Sequence, residues 1–411
     1  MDSDETLNLV AKIRLYPTTE QVDEFKAISN IFKYICNLIS RWYFDKHFKV
    51  DRKAFQKEMY KPIREQYPKV NSLMVQSAFR CVDARYRTVK TQLKQQDYHY
   101  QDINTGKWYY EHKDLEWLQK PIHFKRPQAD YVRNFNYSFV KNKQLISMNV
   151  LGKRIKVDYN ADYAKPLFDL NAHLGTAKLV CLKDKWYLHI PVKVTYQAWN
   201  KTNNQHIVGI DRGLRQIMTT YDERGKTKFF NGRKVAYVRR KYHYLRQQLQ
   251  KAGTKSAKRH LKKLAQQENR YINDVNHCLS KTLVEHYGKN TLFVLEDLSN
   301  ITFERRMQSK AQTRDLHSWS FYDLQQKLTY KALLKQSNVI TVDAHYTSQR
   351  CPKCAHITKE ARNHHLHQYH CPYCGFTTND DRIGAMNLYE LGKQYLTGNE
   401  QPKFEKLNVQ D

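Results

Sequence analysis

Long apolar runs are missing from this chain. No stretch approaches the roughly 18 uncharged apolar residues that would cross a bilayer, so a helical membrane span is excluded as the basis of function. The N-terminus, "MDSDETLNLV", is acidic and lacks the basic-then-apolar layout of a secretory signal. No segment reads as an amphipathic membrane anchor, and there are no repeats or low-complexity tracts. The expectation is an intracellular protein, where disulfides are rare. Acid is also scarce: 40 Asp+Glu stand against 70 Lys+Arg, a formal charge of +30 with a sequence pI near 9.6. Charge of one sign spread this widely draws polyanions and gains from counterion release at phosphates. A small acidic substrate would not need it.

What is present is a chain of 411 residues, 40% apolar, enough for two or three domains with sizeable cores. "LVAKIRLYP" alternates like a strand and stops at Pro17. Thr18-Thr19-Glu20-Gln21 is a capping-box pattern that opens a helix. Val22, Phe25, Ile28, Phe32, Ile35 and Ile39 then recur every three or four residues and make one face apolar. A second such segment runs from 70 to 93, so residues 18 to about 96 read as helical. Residues 97–130 read as irregular and aromatic. Short alternating strands follow to a linker at 196–205. "HIVGID", "RQIMTTYD" and "KTKFFNG" then read as a three-strand meander, and 234 to about 288 as a helical hairpin turning near Gly253. Between Gly232 and Tyr271 there are thirteen Lys/Arg and one acid, Glu268. That one-sided charge suits a phosphate backbone, although a merely solvated face is the ordinary alternative. The aromatic stretch "DYHYQDINTGKWYYEHKDLEWLQKPIHFKRP" could stack unpaired bases, or simply pack a core.

The eight cysteines divide by context. Cys36, Cys81, Cys181 and Cys278 sit singly among apolar neighbours and read as buried thiols. Cys351-Pro-Lys-Cys354 and Cys371-Pro-Tyr-Cys374 are two CxxC knuckles sixteen residues apart. That spacing predicts a zinc ribbon: four thiolates around one structural Zn2+, with no open position for chemistry. A redox pair is the weaker alternative. His356, His364, His365, His367 and His370 lie between the knuckles; one of them could replace a thiol, or all could be exposed loop residues.

Asp211 ends "HIVGID", Glu296 ends "TLFVLE", and Asp381 opens the last predicted helix. An Asp after a strand is ordinarily a turn residue, so no one of them carries much alone. Together, an early-strand Asp, a later-strand Glu and a helix-start Asp make the arrangement of RNase H-like nucleases. Three carboxylates brought together repel one another. Two Mg2+ ions would relieve that repulsion, activate water and stabilise a leaving 3′ oxygen.

With these residues in view the chain resembles the TnpB family, RNA-guided endonucleases of insertion sequences related to compact type V CRISPR effectors. The stretches that carry the resemblance include "KIRLYPTTEQVDEFKAISNIFKYICN", "VNSLMVQSAFRCVDARYRTVK" and "HFKRPQADYVRNFNYSF". The most specific are "GIDRGL", "VLEDLSNI", "QKLTYKALLKQSNVITVDAHYTSQRCPKCAH" and "DDRIGAMNLYELG", in that order. The resemblance implies an α+β multidomain fold. A wedge-type β-barrel (1–17 and 126–200) is split by a helical recognition domain (18–125). A RuvC-like, RNase H-type α/β nuclease domain (206–348 and 378–396) carries an inserted zinc ribbon (349–377), and a tail (397–411) follows. It implies Asp211, Glu296 and Asp381 as catalytic, Mg2+-binding acids, with Asn379 or Asp380 left to cap the last helix. Asp380 stands where the family often has Arg, and Ile383-Gly384 where it has Asn-Ala. It implies a guide RNA and double-stranded target DNA as partners, a short flanking DNA motif and a bacterial cytoplasmic, nucleoid-associated location; the sequence leaves the oligomeric state open, with a monomer favoured. The alternatives are a guided DNA-binding regulator that does not cut, and a transposase that transfers strands itself.

Overall fold

The computed structural model describes residues 4–95, 97–103, 105–126, 128–162, 172–203, 206–213, 215–298, 321–363 and 366–405. His364 and His365, the end of the linker (204–205) and the last part of the tail (406–411) lie outside the described residues. Among the described residues no helix is long and apolar enough to cross a membrane. The chain divides into two compact units: Thr6–Thr195, and Met1–Glu5 with Tyr196–Asp411.

The first unit starts with β1 (Asp4–Tyr16) and then turns helical. Thr18 caps α1 (Thr19–Asp45) with the capping box expected from sequence: its side chain accepts from Gln21 N, and the Gln21 side chain accepts from Thr18 N. Phe25, Ile28, Phe32, Ile35 and Ile39 are all buried on one face. The short helices α2 (Arg52–Phe55) and α3 (Lys61–Gln66) flank a π-helical turn, and α4 (Ser72–Lys94) follows. The α4 residues Met74, Val75, Ala78, Val82 and Tyr86 complete this core. Each fully buried side chain of this size is worth about 1.5–3 kcal/mol. Tyr43 of α1 stacks on Tyr86 with ring centroids 4.5 Å apart.

Residues 97–130 are not wholly irregular. β2 (Asp97–Gln101) and β3 (Trp108–His112) pair antiparallel, with Tyr100 opposite Tyr109. The alternation was invisible because aromatic and polar residues occupy both faces, and every described side chain in the pair is exposed.

β4 (Ala129–Tyr131), β5 (Tyr137–Phe139), β6 (Leu145–Val150), β7 (Lys153–Asn160), β8 (His173–Leu174), β9 (Ala177–Leu182) and β10 (Lys185–Gln197) join β1 in one sheet. Its order is β4-β9-β10-β1-β7-β6-β5, with β8 paired to β10. β4 and β5 stand at opposite ends of that order, yet only residues 132–136 separate them in the chain, and Arg133 bridges to Tyr137. The sheet therefore curls into a nearly closed barrel. Its buried side chains recur with the strand period of two: Ile146, Met148 and Val150 on β6, and Leu188, Ile190, Val192 and Val194 on β10.

The second unit is built on a five-stranded sheet. β11 (His206–Asp211), β12 (Gln216–Asp222) and β13 (Thr227–Asn231) form the expected meander. β14 (Thr291–Glu296) and β15 (Asn338–Val342) run parallel to β11, giving the order β13-β12-β11-β14-β15. Between β13 and β14 the chain forms a helical hairpin, α5 (Arg233–Ala252) and α6 (Lys255–Tyr287). It turns at Gly253, which adopts a left-handed φ of 64°. α7 (Phe321–Leu333) precedes β15, and α8 (Asp380–Leu396) closes the unit.

The central strands are buried on both faces, so they read as continuous apolar runs. Val208, Ile210, Phe293 and Leu295 pack with Leu283 and Val284 of α6 and with Leu324 and Leu328 of α7. The alternate residues Ile207, Leu292 and Val294 pack with Leu388 and Leu391 of α8.

Two of the four single cysteines depart from expectation. Cys36 is buried and Cys81 partly so, but Cys181 and Cys278 are exposed. Cys181 lies on the outward end of β9, and Cys278 lies beside the buried stripe of α6 that holds Asn276 and Ser280.

Candidate functional site

The parallel register brings two acids together. Ile210 of β11 pairs with Leu295 of β14, so the next residues, Asp211 and Glu296, end adjacent strands side by side. α8 delivers the third. Asn379 caps this helix, its Oδ1 accepting from Asp381 N at 3.0 Å and Arg382 N at 3.3 Å. That puts Asp381 in the first turn, over the end of β11. Asp211 is half-buried. Burial, then the charges of Glu296 and Asp381, hold its proton well above the usual carboxylate range, against the opposing pull of Arg362 and Arg212. The three predicted acids thus share one electrostatic site.

Glycines permit this approach. A Cβ on Gly209 of β11 would lie 2.1 Å from Ala385 O, and one on Gly392 would lie 2.7 Å from Ile207 Cγ2. A Cβ on Gly384 would lie 2.7 Å from Asp211 Cγ. Helix and strand are therefore closer than any side chain at these positions would allow.

Several residues of the site carried no sequence signal as members of it. Arg212 is buried; its guanidinium donates to Glu296 O, and to Phe321 O and Gln325 Oε1 at 3.3 Å each, tying two strand ends to α7. Asp380 is not the cap: it is 2% exposed, with Arg362 Nε 3.3 Å from its Oδ2 and His367 Nδ1 3.6 Å from its Oδ1. Arg362 Nη2 also reaches within 3.9 Å of Asp381 Oδ1.

Arg362 comes from the ribbon. β16 (Arg362–Asn363), β17 (Gln368–His370) and β18 (Thr377–Asn379) form a small antiparallel sheet. Arg362 pairs with Tyr369, which in turn pairs with Thr378. The strand order therefore swings Arg362 toward the acids that follow β18. Only its long-range register places it there, and no local motif announces it.

The cysteine clip is a separate centre. Among the described residues, the group of metal-ligand side chains whose donor atoms all close within 4.8 Å is Cys351, Cys354, Cys371 and Cys374. The Sγ atoms of Cys351 and Cys374 are 3.6 Å apart, and those of Cys354 and Cys371 are 3.5 Å apart. A tetrahedral Zn2+ with arms of about 2.3 Å needs sulfur–sulfur edges of about 3.8 Å, so the four thiols suit a closed structural site. Peptide N–H groups of Lys353 and Cys354 donate to Cys351, and those of Tyr373 and Cys374 donate to Cys371. Such donors favour the thiolates that bind metal. The described histidines are engaged elsewhere: His356 stacks on Tyr373 at 4.0 Å, His370 Nδ1 meets Thr377 Oγ1 at 2.8 Å, and His367 faces Asp380. The acid trio is more open than this clip, since its oxygens do not form a set closed within 4.8 Å.

Comparison with known proteins agrees with this layout. Residues 189–300 match the OrfB_IS605 family, described as a probable transposase, and residues 321–388 match the Cas12f1-like TNB domain. Between them these stretches hold all three acids and all four clip cysteines. The CRISPR-associated endodeoxyribonuclease Cas12f1 of Sulfoacidibacillus thermotolerans is 30% identical over 223 residues, covering 50% of each chain. The TnpB-like protein MJ0751 of Methanocaldococcus jannaschii is 27% identical over 240 residues, 56% of this chain and 84% of that one. The chain spans about half the length of the first curated relatives it matches. In fold, it is similar to the protein in a Cas12f1-sgRNA-target DNA complex, with a TM-score of 0.54 at 11% identity, over 94% of this chain and 99% of that one. By its two matched regions and its relatives, the chain is similar to TnpB-like proteins and to Cas12f1, and its fold is similar to that of the protein in the Cas12f1 complex.

Proposed function

We propose that this protein is a Mg2+-dependent, RNA-guided DNA endonuclease of the TnpB kind. The observation that carries the reading is the acid pair in register on β11 and β14, with Asp381 near enough that both neighbours raise the proton affinity of Asp211. Half-buried acids that repel one another at the strand ends are an unstable arrangement unless a cation joins them. Three carboxylates are hard oxygen donors, the set that Mg2+ takes. When bound there, Mg2+ would supply an activated water and charge stabilisation for the leaving 3′ oxygen.

The chain's own groups do the rest. Asp211, Glu296 and Asp381 hold the cations. Arg212 braces the two strand ends. Arg362, paired to Asp380, keeps a positive charge beside the acids where a phosphate would lie. The sheet order, with three parallel strands flanked by an antiparallel pair, supports reading this unit as RuvC-like. The barrel and its helical insertion are then the wedge and recognition parts, facing the guide and the flanking DNA motif. Arg233 to Arg270 on α5 and α6 present the one-sided charge suited to a phosphate backbone. One Zn2+ in the cysteine clip would be structural.

The test is Asp211→Ala in the purified protein with its guide RNA. Cleavage of guide-matched plasmid should be abolished, a loss of at least a thousandfold, on the scale of removing a member of a catalytic constellation. RNA and DNA binding should stay near normal. Binding that falls in parallel with cleavage would assign Asp211 a structural role instead.

A further inference from the structure

Glu296 has a partner outside the acid cluster. Thr347 lies in the turn between β15 and the first cysteine knuckle and is 1% exposed. Its Oγ1 donates to Glu296 Oε1 at 2.5 Å. Ala344 O lies 2.9 Å from the same hydroxyl. One proton serves both, and the nearer, charged acceptor makes the stronger bond.

The turn is itself tied down. Asn387, buried in α8, donates through Nδ2 to Thr347 O at 2.7 Å and to Arg350 O at 2.8 Å. Arg350 Nη1 donates to Asn387 Oδ1 at 3.2 Å. The next residue, Cys351, donates its N–H to His356 O at 2.8 Å within the clip. A continuous set of bonds therefore runs from the knuckle through Arg350, Asn387 and Thr347 to Glu296.

We propose that Thr347 is the positioning residue of the acid site: its buried hydroxyl, anchored through Asn387, fixes the Glu296 carboxylate where it can share a divalent cation with Asp211 and Asp381. The inference rests on reading these acids as metal-binding. Its physical basis is repulsion. Without a cation, Asp381 and, once ionised, Asp211 push Glu296 away, and a glutamate has three side-chain torsions through which to turn outward. The Thr347 donor on Oε1 opposes that turn. Threonine suits the task because branching at Cβ stiffens its own χ1.

Mn2+ binding to the zinc-loaded, full-length chain, read by the paramagnetic resonance of the free ion, tests this directly. Thr347→Val keeps the shape and removes the donor. It should weaken Mn2+ binding about tenfold, at the low end of the 10–100-fold expected when an outer partner of a metal ligand is lost. Thr347→Ser keeps the donor and should bind close to the wild type. The cation-free Thr347→Val chain should still melt cooperatively, and raising Mg2+ should recover its cleavage of guide-matched DNA. Thr347→Ala serves if the valine variant does not fold. Wild-type Mn2+ affinity in Thr347→Val, or equal weakness in Thr347→Ser, overturns the proposal while leaving the metal reading intact. A wild-type chain with no Mn2+ site sensitive to Asp211→Ala sinks the metal reading, and this inference with it.

Discussion

Gly384, one turn into α8, lies against the Asp211 carboxylate: a methyl group at 384 would stand 2.7 Å from Asp211 Cγ and 3.0 Å from its Oδ2. The resemblance leads one to expect alanine at this position; the glycine found there goes with an unusually close helix–strand contact. Gly384→Ala should push the carboxylate aside, lowering cleavage more than tenfold for a stability cost of about 1–3 kcal/mol, the usual range for overpacking. Gly209→Ala meets backbone rather than a side chain, with Ala385 O at 2.1 Å and Tyr389 N at 2.5 Å. It should therefore lower the melting temperature further than Gly384→Ala. Thermal melts of the two variants, side by side, decide the point; the reverse order would mean that α8 shifts easily on the sheet.

A pH dependence follows from the state of Asp211. Burial and the charges of Glu296 and Asp381 make the folded chain hold the Asp211 proton more tightly than the unfolded chain does. Stability from that proton is complete below about pH 4, where an unfolded Asp is also protonated, and is lost as pH rises through the elevated folded value. In Mg2+-free buffer Asp211→Asn, which has no such proton to lose, should gain in melting temperature on the wild type between about pH 5 and about pH 8. Added Mg2+ should stabilise the wild type more at the upper end and leave the variant unmoved. A gap between the two proteins that is flat with pH would contradict the clustering of the acids.

Zinc content offers a third check. The purified chain should carry about one Zn2+, and Cys354→Ser or Cys371→Ser should lose it. Cys181→Ser and Cys278→Ser, both at exposed positions, should not. Hydrogen exchange should rise in the ribbon of the depleted variants, because binding energy at such a site is folding energy. Retained zinc after loss of a knuckle cysteine would require a histidine ligand, against the contacts seen for His356, His367 and His370.

Much of this site was legible because its signals are local. Two apolar runs that each end in an acid, "HIVGID" and "TLFVLE", announce parallel core strands, and parallel pairing then aligns Asp211 with Glu296 without further information. Two CxxC knuckles announce a clip, and the capping box at Thr18 announces α1. What was not legible depends on contacts between distant segments. Arg362 reaches the acids only through the strand order of the ribbon. Asp380 looks like a cap because it sits at a helix start, yet its carboxylate is buried against Arg362 while Asn379 caps. Thr347 is one of many threonines until the turn folds beneath Glu296. The β2–β3 pair was missed because its described side chains are exposed, so no buried apolar stripe marks it.

The placement of α8 bears on how the protein is made. This helix covers the face of the sheet formed by Ile207, Leu292 and Val294, yet it is synthesised after every strand beneath it and after the ribbon. A ribosome-bound chain therefore carries a bare greasy surface until its last helix emerges, a condition that invites aggregation or chaperone capture. Delivery of Asp381 to the ends of β11 and β14 and shielding of that surface are one event, the docking of α8.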